Sequence, residues 1–181
     1  LLEHPVCGTN HLQPFLDQKV PGLWAYYCTA QGVDVSNRFF AMPAGRTRIL
    51  GVQLYKFGIE GFLHWGYNFY NAVDSLYQLD PYRVTDCGGV YPGGDAFLVY
   101  PGRDGKPEES LRLMLLAQAM ADRQALCCLE EKIGREKVLE LIGESLDQPL
   151  TFSEYPRYPR DRDYLLRLRE KVNRLLCEAE N

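Results

Sequence analysis

The run Gly22-Leu-Trp-Ala-Tyr-Tyr-Cys28 is apolar and aromatic throughout, with Pro21-Gly22 before it and polar residues after it. A short unbroken apolar run bounded by turn residues is the pattern of a buried strand. The spacing then changes. Ile49, Leu50, Leu54 and Phe57 recur at helical intervals, Pro43 stands where a first helical turn tolerates it, and Gly58 can supply a left-handed stop. These positions predict a helix of about four turns. Gly61-Phe-Leu-His-Trp-Gly-Tyr-Asn68 reads as a second aromatic strand. The segment 22–68 is thus strand, helix, strand, and a crossover of that length makes the strands parallel and the connection right-handed.

Residues 69–107 form a long connection containing Asp86-Cys-Gly-Gly, Tyr91-Pro-Gly-Gly-Asp95 and a short strand, Ala96-Phe-Leu-Val-Tyr100. Gly-rich connections of this length are usually functional loops. Gly88-Gly89 and Gly93-Gly94 precede no helix with a following Lys, so they are turns and not a phosphate loop. Pro107-Glu108-Glu109 places acidic side chains at a predicted helix start. That helix runs to about Ile133 and is apolar almost all round, which predicts deep packing; Gly134 breaks it. A helix over about 135–146 turns Val138, Leu141 and Ile142 inward. A last one, capped by Asp161 or Asp163, carries Leu165, Leu168, Val172, Leu175 and Leu176 on one stripe. Pro5-Val-Cys-Gly8 adds a third core strand. Three parallel strands cannot close a barrel, so the pattern fits either a small open α/β sheet or the last part of a (β/α) barrel.

A chain of 181 residues is one domain with a real core. Its composition is ordinary except for aromatic richness, with 12 Tyr, 8 Phe and 2 Trp, which suits a sugar site and a plain core alike. The net charge of −4 and the absence of a long Lys/Arg run argue against nucleic acid and anionic membrane as partners. No apolar run reaches the ~20 residues of a membrane span, and no signal pattern opens the chain. The six Cys lack CxxC or regular spacing, and Cys127-Cys128 lie inside an apolar helical run. They read as reduced thiols, which predicts a cytoplasmic protein. The start at Leu1-Leu2-Glu3-His4-Pro5, running at once into a strand, reads as a cut from a longer polypeptide.

Several of these segments together resemble the C-terminal region of glycoside hydrolase family 123 and the related domain of unknown function 4091. The resemblance is carried by Leu23-Trp-Ala-Tyr-Tyr-Cys28, Gly58-Ile-Glu-Gly-Phe-Leu-His-Trp-Gly-Tyr-Asn68, Gly94-Asp-Ala-Phe-Leu-Val-Tyr-Pro-Gly102, Ser110-Leu-Arg112 and Ile133-Gly-Arg-Glu-Lys-Val138, in order along nearly the whole chain. It implies the C-terminal portion of a (β/α)8 TIM-type barrel followed by C-terminal helices. Residues 1–106 would supply the last strands, a helix and the long loop; residues 107–181 would supply helices packing on the same barrel, with no independent second domain. It also implies removal of β-linked N-acetylgalactosamine with retention, by a substrate-assisted route in which the sugar's own acetamido oxygen attacks the anomeric carbon. An Asp would hold the acetamido nitrogen while the adjacent Glu serves as general acid and then base. This sequence contains no Asp-Glu dipeptide; Glu108-Glu109 and Glu130-Glu131 lie on predicted helices. The resemblance therefore implies that the catalytic pair lies upstream, that this piece is inactive alone, and that its partners are the carbohydrate and the rest of its own parent chain. Ala117-Gln118-Ala119 stands where relatives often carry Arg-Asp-Gly, so no role is carried onto those positions.

In a (β/α) barrel the chemistry gathers at the carboxyl ends of the strands. This selects Asn10 and His11, Tyr26 and Tyr27, and His64, Trp65 and Asn68 as substrate-binding candidates. Trp65 offers a flat indole for the C–H face of a sugar ring, and core packing is an equally ordinary role for it. Tyr26 and Tyr27 alternate sides of a strand, so at most one faces the cleft. A lone His near a strand end, such as His64, is more often a structural hydrogen-bonder than an acid or base. Asn68 can bond sugar hydroxyls or tie down the loop that follows it. Glu60 stands before its strand, at the rim that serves stability. His4, Cys7 and His11 match no zinc spacing, so neither a metal nor a cofactor is expected. Two other readings remain open: a non-catalytic carbohydrate-binding or scaffold domain, and a free-standing α/β domain that pairs through exposed strand edges. Oligomeric state is not legible.

Overall fold

The structure is a computed structural model that describes residues 6–8, 11–146 and 152–179. Three strands, β1 (Val6–Gly8), β2 (Trp24–Tyr26) and β3 (Gly61–Leu63), form one sheet in that order. Both pairings are parallel, with Cys7, Ala25 and Phe62 in register across the sheet. The strands are shorter than the apolar runs that announced them. After Leu63 the aromatic residues continue, but the backbone leaves the ladder.

A short helix, α1 (Gln13–Asp17), follows β1, and two helices, α2 (Gly45–Arg48) and α3 (Leu50–Phe57), follow β2. Ile49 between them keeps right-handed helical dihedrals, so the pair is nearly the single predicted helix. Gly58 ends α3 in the left-handed conformation, as its position suggested. Six consecutive residues of α3, Leu50 to Tyr55, are buried. Leu50 and Leu54 pack with Ala25 and Tyr27 of the sheet side, whereas Val52 and Tyr55 join a second core with Leu126, Leu129, Val138, Ile142, Leu168 and Val172. The helix α3 is therefore a middle layer.

That second core is made by α4 (Leu111–Ile133), α5 (Arg135–Glu144) and α6 (Tyr164–Ala179). The expected inward residues of α5 and of the last helix are the buried or partly buried ones. Two expectations for the preceding stretch are corrected. Pro107–Glu109 is not a helix start but a strand, β5, pairing antiparallel with β4 (Val99–Pro101). The helix begins after Ser110, whose hydroxyl accepts from the Leu113 backbone N–H at 3.3 Å, and a Ser cap outcompetes Pro107 as a start signal. Nor is α4 buried all round: Leu111, Met114 and Met120 are exposed, and its inward stripe is Ala119, Asp122, Ala125, Leu126 and Leu129. Counting apolar residues hid a narrow seam that uses small side chains for close approach.

Asp122 fastens the helical layers. Its carboxylate accepts from Arg48 at 2.6 and 3.0 Å and from Arg169 of α6 at 2.8 Å. With one buried anion shared by two guanidiniums, the charge is compensated where it is desolvated. A second buried relay runs from the Tyr27 hydroxyl to Ser36 (2.7 Å), from Ser36 to Gln53 (2.6 Å) and from Gln53 to the Tyr155 carbonyl (2.8 Å), tying β2's exit to α3 and to the segment before α6. No helix among the described residues is long and apolar enough to cross a membrane.

The crossing of α3 on α4 depends on Gly51, where an added Cβ would lie 1.8 Å from the Ala119 carbonyl oxygen. Gly51→Ala must push two backbones apart, so it should cost about 3 kcal/mol. Urea unfolding would measure this, and an unchanged midpoint would contradict the close crossing.

Candidate functional site

Strand pleating sorts the residues at the carboxyl ends of β2 and β3. Cys7, Ala25, Tyr27 and Phe62 turn toward α3, while Trp24, Tyr26 and Leu63 occupy the opposite, half-buried face. Beyond β3 the chain meets the long connection at close range. A Cβ on Gly66 would fall 2.4 Å from the Ala96 carbonyl oxygen, so only glycine permits this approach. The result brings Trp65 to Asp95: the indole Nε1–H donates to Asp95 Oδ2 at 2.9 Å. The indole also rests against Phe69 and Tyr91, with ring centroids 5.5 and 5.3 Å away.

Around this pair lies a buried polar cluster. Asp95 is 0% exposed, and its Oδ1 has no hydrogen-bond partner. Burial pushes its carboxyl above the ordinary range, against the opposing pull of the Trp65 N–H and the charges of Arg38 and Arg112. Arg38 is 1% exposed, sits 5.2 Å over Tyr27 and 4.9 Å over Phe62, and donates one long bond to the Tyr27 carbonyl; its Nε and Nη1 have no partner. Arg112 lies 4.4 Å over Phe40 and donates to the Phe97 carbonyl at 2.6 Å, with Nε unpartnered. Neither arginine has an ion-pair partner within 4.0 Å among the described residues.

His64 occupies the same cluster, and neither ring nitrogen makes a well-formed hydrogen bond. Burial, then the charges of Arg38 and Arg112, push its imidazole down to about 3, with the Gly66 backbone opposing. It is therefore neutral at physiological pH, so it can donate from one nitrogen and accept at the other but holds no charge. Tyr26, pushed up to about 12 chiefly by burial, is also a neutral group and feels the charges of Asp95 and Arg38. Buried polar atoms without partners inside the chain are unusual in a folded protein, and the shifted titratable groups among them make this the candidate site.

The seven sequence-selected residues divide accordingly. His64 and Trp65 stand in the cluster, and Tyr26 borders it. Tyr27 faces the core, 0% exposed, with its hydroxyl on Ser36. Asn68 is exposed and pairs by backbone with Phe97, so it ties down the loop. His11 is exposed, and its carbonyl accepts from the Cys7 thiol at 3.4 Å. Asn10, like His4, lies outside the described residues. Sequence reasoning missed Arg38, Asp95 and Arg112. Asp95 and Arg112 sat inside quoted segments without being singled out, and Arg38 follows Ser36-Asn37 in a loop with no periodic signal.

These features define an α/β chain with a buried polar cluster among aromatic rings at the carboxyl ends of its parallel strands. The model of the glycoside hydrolase 123 catalytic domain matches residues 1–129, and the chain belongs to that family. The match takes in every strand among the described residues and ends within α4. Carbohydrate is accordingly its class of substrate. No curated protein matches the chain.

Because the folded-state value of His64 lies below its ordinary 6.5, the unfolded chain takes up a proton that the folded chain refuses. His64 should therefore remove roughly 1.4 kcal/mol of stability per pH unit as pH falls below 6.5 toward about 3. Asp95, shifted upward, works the other way at the acidic end, since the folded chain holds its proton more readily. In NMR titration one imidazole, absent in His64→Phe, should stay neutral down to about pH 5. An imidazole at that position that titrates near 6.5 would contradict its enclosure.

Proposed function

We propose that this chain contributes part of the sugar cleft of a (β/α)8-barrel glycosidase that cleaves β-linked N-acetylhexosamine glycosides, of the N-acetylgalactosamine type, with retention. The carrying observation is the unsatisfied cluster of Arg38, His64, Asp95 and Arg112 beside the Trp65 indole, at the strand ends of a family 123 chain. The half-buried second face of the sheet supports the barrel reading, because parallel sheets are normally covered on both faces. On this reading residues 1–106 furnish the final strands and loop, and residues 107–181 the helices packed on the same barrel.

The reaction would be substrate-assisted. The acetamido oxygen attacks the anomeric carbon as the glycosidic bond breaks, a general acid protonates the leaving oxygen, and water opens the resulting oxazolinium with retention. Trp65, fixed by Asp95, would stack on the sugar's C–H face; His64 and Tyr26, both uncharged, would bond neutral hydroxyls. The chain holds no Asp-Glu dipeptide, so the proton-handling pair would come from sequence beyond these 181 residues. That same observation favours a second reading, a carbohydrate-binding or scaffold relative without catalysis.

The intact parent polypeptide separates the two. A substrate-assisted site should bind N-acetylgalactosamine-thiazoline on the order of a hundredfold tighter than the free sugar. It should also hydrolyse p-nitrophenyl N-acetyl-β-galactosaminide, with Trp65→Ala lowering kcat/KM at least about tenfold, equivalent to ~1.4 kcal/mol. Equal affinity for thiazoline and sugar, without hydrolysis, would leave the non-catalytic reading standing.

A further inference from the structure

A cleft of about 700 Å³ opens between the start of α2 and the approach to α6, lined by Pro43, Gly45, Arg46, Arg160, Arg162 and Leu165 among others. Its size falls within the roughly 300–1,000 Å³ that ligand sites occupy. Arg46 and Arg160 each stand 5.6 Å from the centroid of the Tyr158 ring, which is itself only 1% exposed. Both guanidiniums are thus held at one buried ring, an arrangement that leaves N–H donors for a further acceptor. Asp161 also lines the cleft, but its carboxylate is engaged by Arg167. None of the three arginines has an ion-pair partner among the described residues. In a chain of net charge −4 this local excess of positive charge is not a reflection of composition.

The cleft has a neighbour on the side of Arg112. It shares Ala44 with a second cleft of about 370 Å³, whose wall includes Phe40, Tyr100 and Arg112. Arg112 in turn acts on His64 and Asp95. The start of α2 follows the exit of β2, so the cleft lies on the rim toward which the parallel strands run. A glycan whose reacting sugar sat at the strand ends would extend along this rim toward the three arginines.

We infer that the cleft of Arg46, Arg160 and Arg162 is a subsite for an oxyanion, a sulfate or carboxylate, on a sugar farther along the same glycan, so that the substrate is an acidic oligosaccharide. This deepens the glycosidase reading and rests on it. Planar guanidiniums pair bidentately with both anions, and an exposed site of this kind weakens with salt.

The test is calorimetric binding to the intact polypeptide of three tetrasaccharides: a sulfated one of alternating N-acetylgalactosamine and uronate, its desulfated counterpart, and a neutral N-acetylhexosamine one. The sulfated or the desulfated acidic ligand should bind about tenfold or more tighter than the neutral one at low salt, and the desulfated arm tells sulfate from carboxylate. R46Q with R160Q should abolish that preference, and R162E, at an exposed position off the Tyr158 stack, should weaken it about tenfold in a protein that folds normally. Hydrolysis of the neutral p-nitrophenyl glycoside should be unchanged in these variants. Equal affinity for acidic and neutral ligands, a preference that survives both substitutions, or equally good competition by tripolyphosphate would overturn the subsite. Because the neutral glycoside and the thiazoline touch none of these arginines, their failure would count against the glycosidase reading alone.

Discussion

Everything in this molecule hangs on the burial of α3 from both sides. A helix with one apolar stripe lies on a surface; one with six consecutive buried residues must be a wall shared by two cores. Leu50 and Leu54 serve the sheet and Val52 and Tyr55 serve the α4–α6 layer, so the strands and the C-terminal helices cannot shift independently. Gly51 sets how near the layers come, and Gln53, 0% exposed, satisfies its amide by bridging Ser36 to the Tyr155 carbonyl. A polar side chain in such a wall is tolerable only because every bond it makes ends on another buried group.

The strand-end cluster obeys the opposite rule. The Asp122 clamp pairs its charges directly, with one buried carboxylate accepting from two partly exposed guanidiniums. Arg38, Arg112 and Asp95 are more deeply buried than those guanidiniums but keep unpartnered atoms, and their charges act on one another across the cluster instead of in close pairs. Stacking on Phe62, Tyr27, Phe40 and Phe97 supports the guanidiniums without consuming their donors. That leaves directed polar groups in a low-dielectric setting, the condition under which hydrogen bonds to a ligand are strongest.

Much of this was legible in the chain alone. The apolar pattern located β2, β3, α3 with its Gly58 stop, α5 and the stripe of α6, because in each the pattern and the terminal residue agree, whereas β1 is too short to carry a pattern of its own. Where signals conflicted, the reading slipped: Pro107 and two glutamates resemble a helix start, yet pairing with β4 takes that segment and Ser110 caps the helix. The site was half legible. Trp65 and His64 follow from the rule that function collects at strand ends, but Arg38 and Asp95 reach the cluster from two loops, the second of them set by the Gly66–Ala96 approach. No local pattern encodes a contact between residues 30 positions apart. The family resemblance, by contrast, rested on short ordered segments and is shown over residues 1–129.

The two tryptophans fall at informative places. Trp24 lies across Gly61 on the half-buried sheet face, and Trp65 has its N–H on a carboxylate at the rim. Indole emission responds to nearby charge and water, so the molecule contains its own pair of optical gauges, one for whatever abuts the sheet and one for whatever enters the cleft. Replacing either by Phe leaves a single-colour reporter, and assembly can then be watched separately from occupancy without attaching a dye.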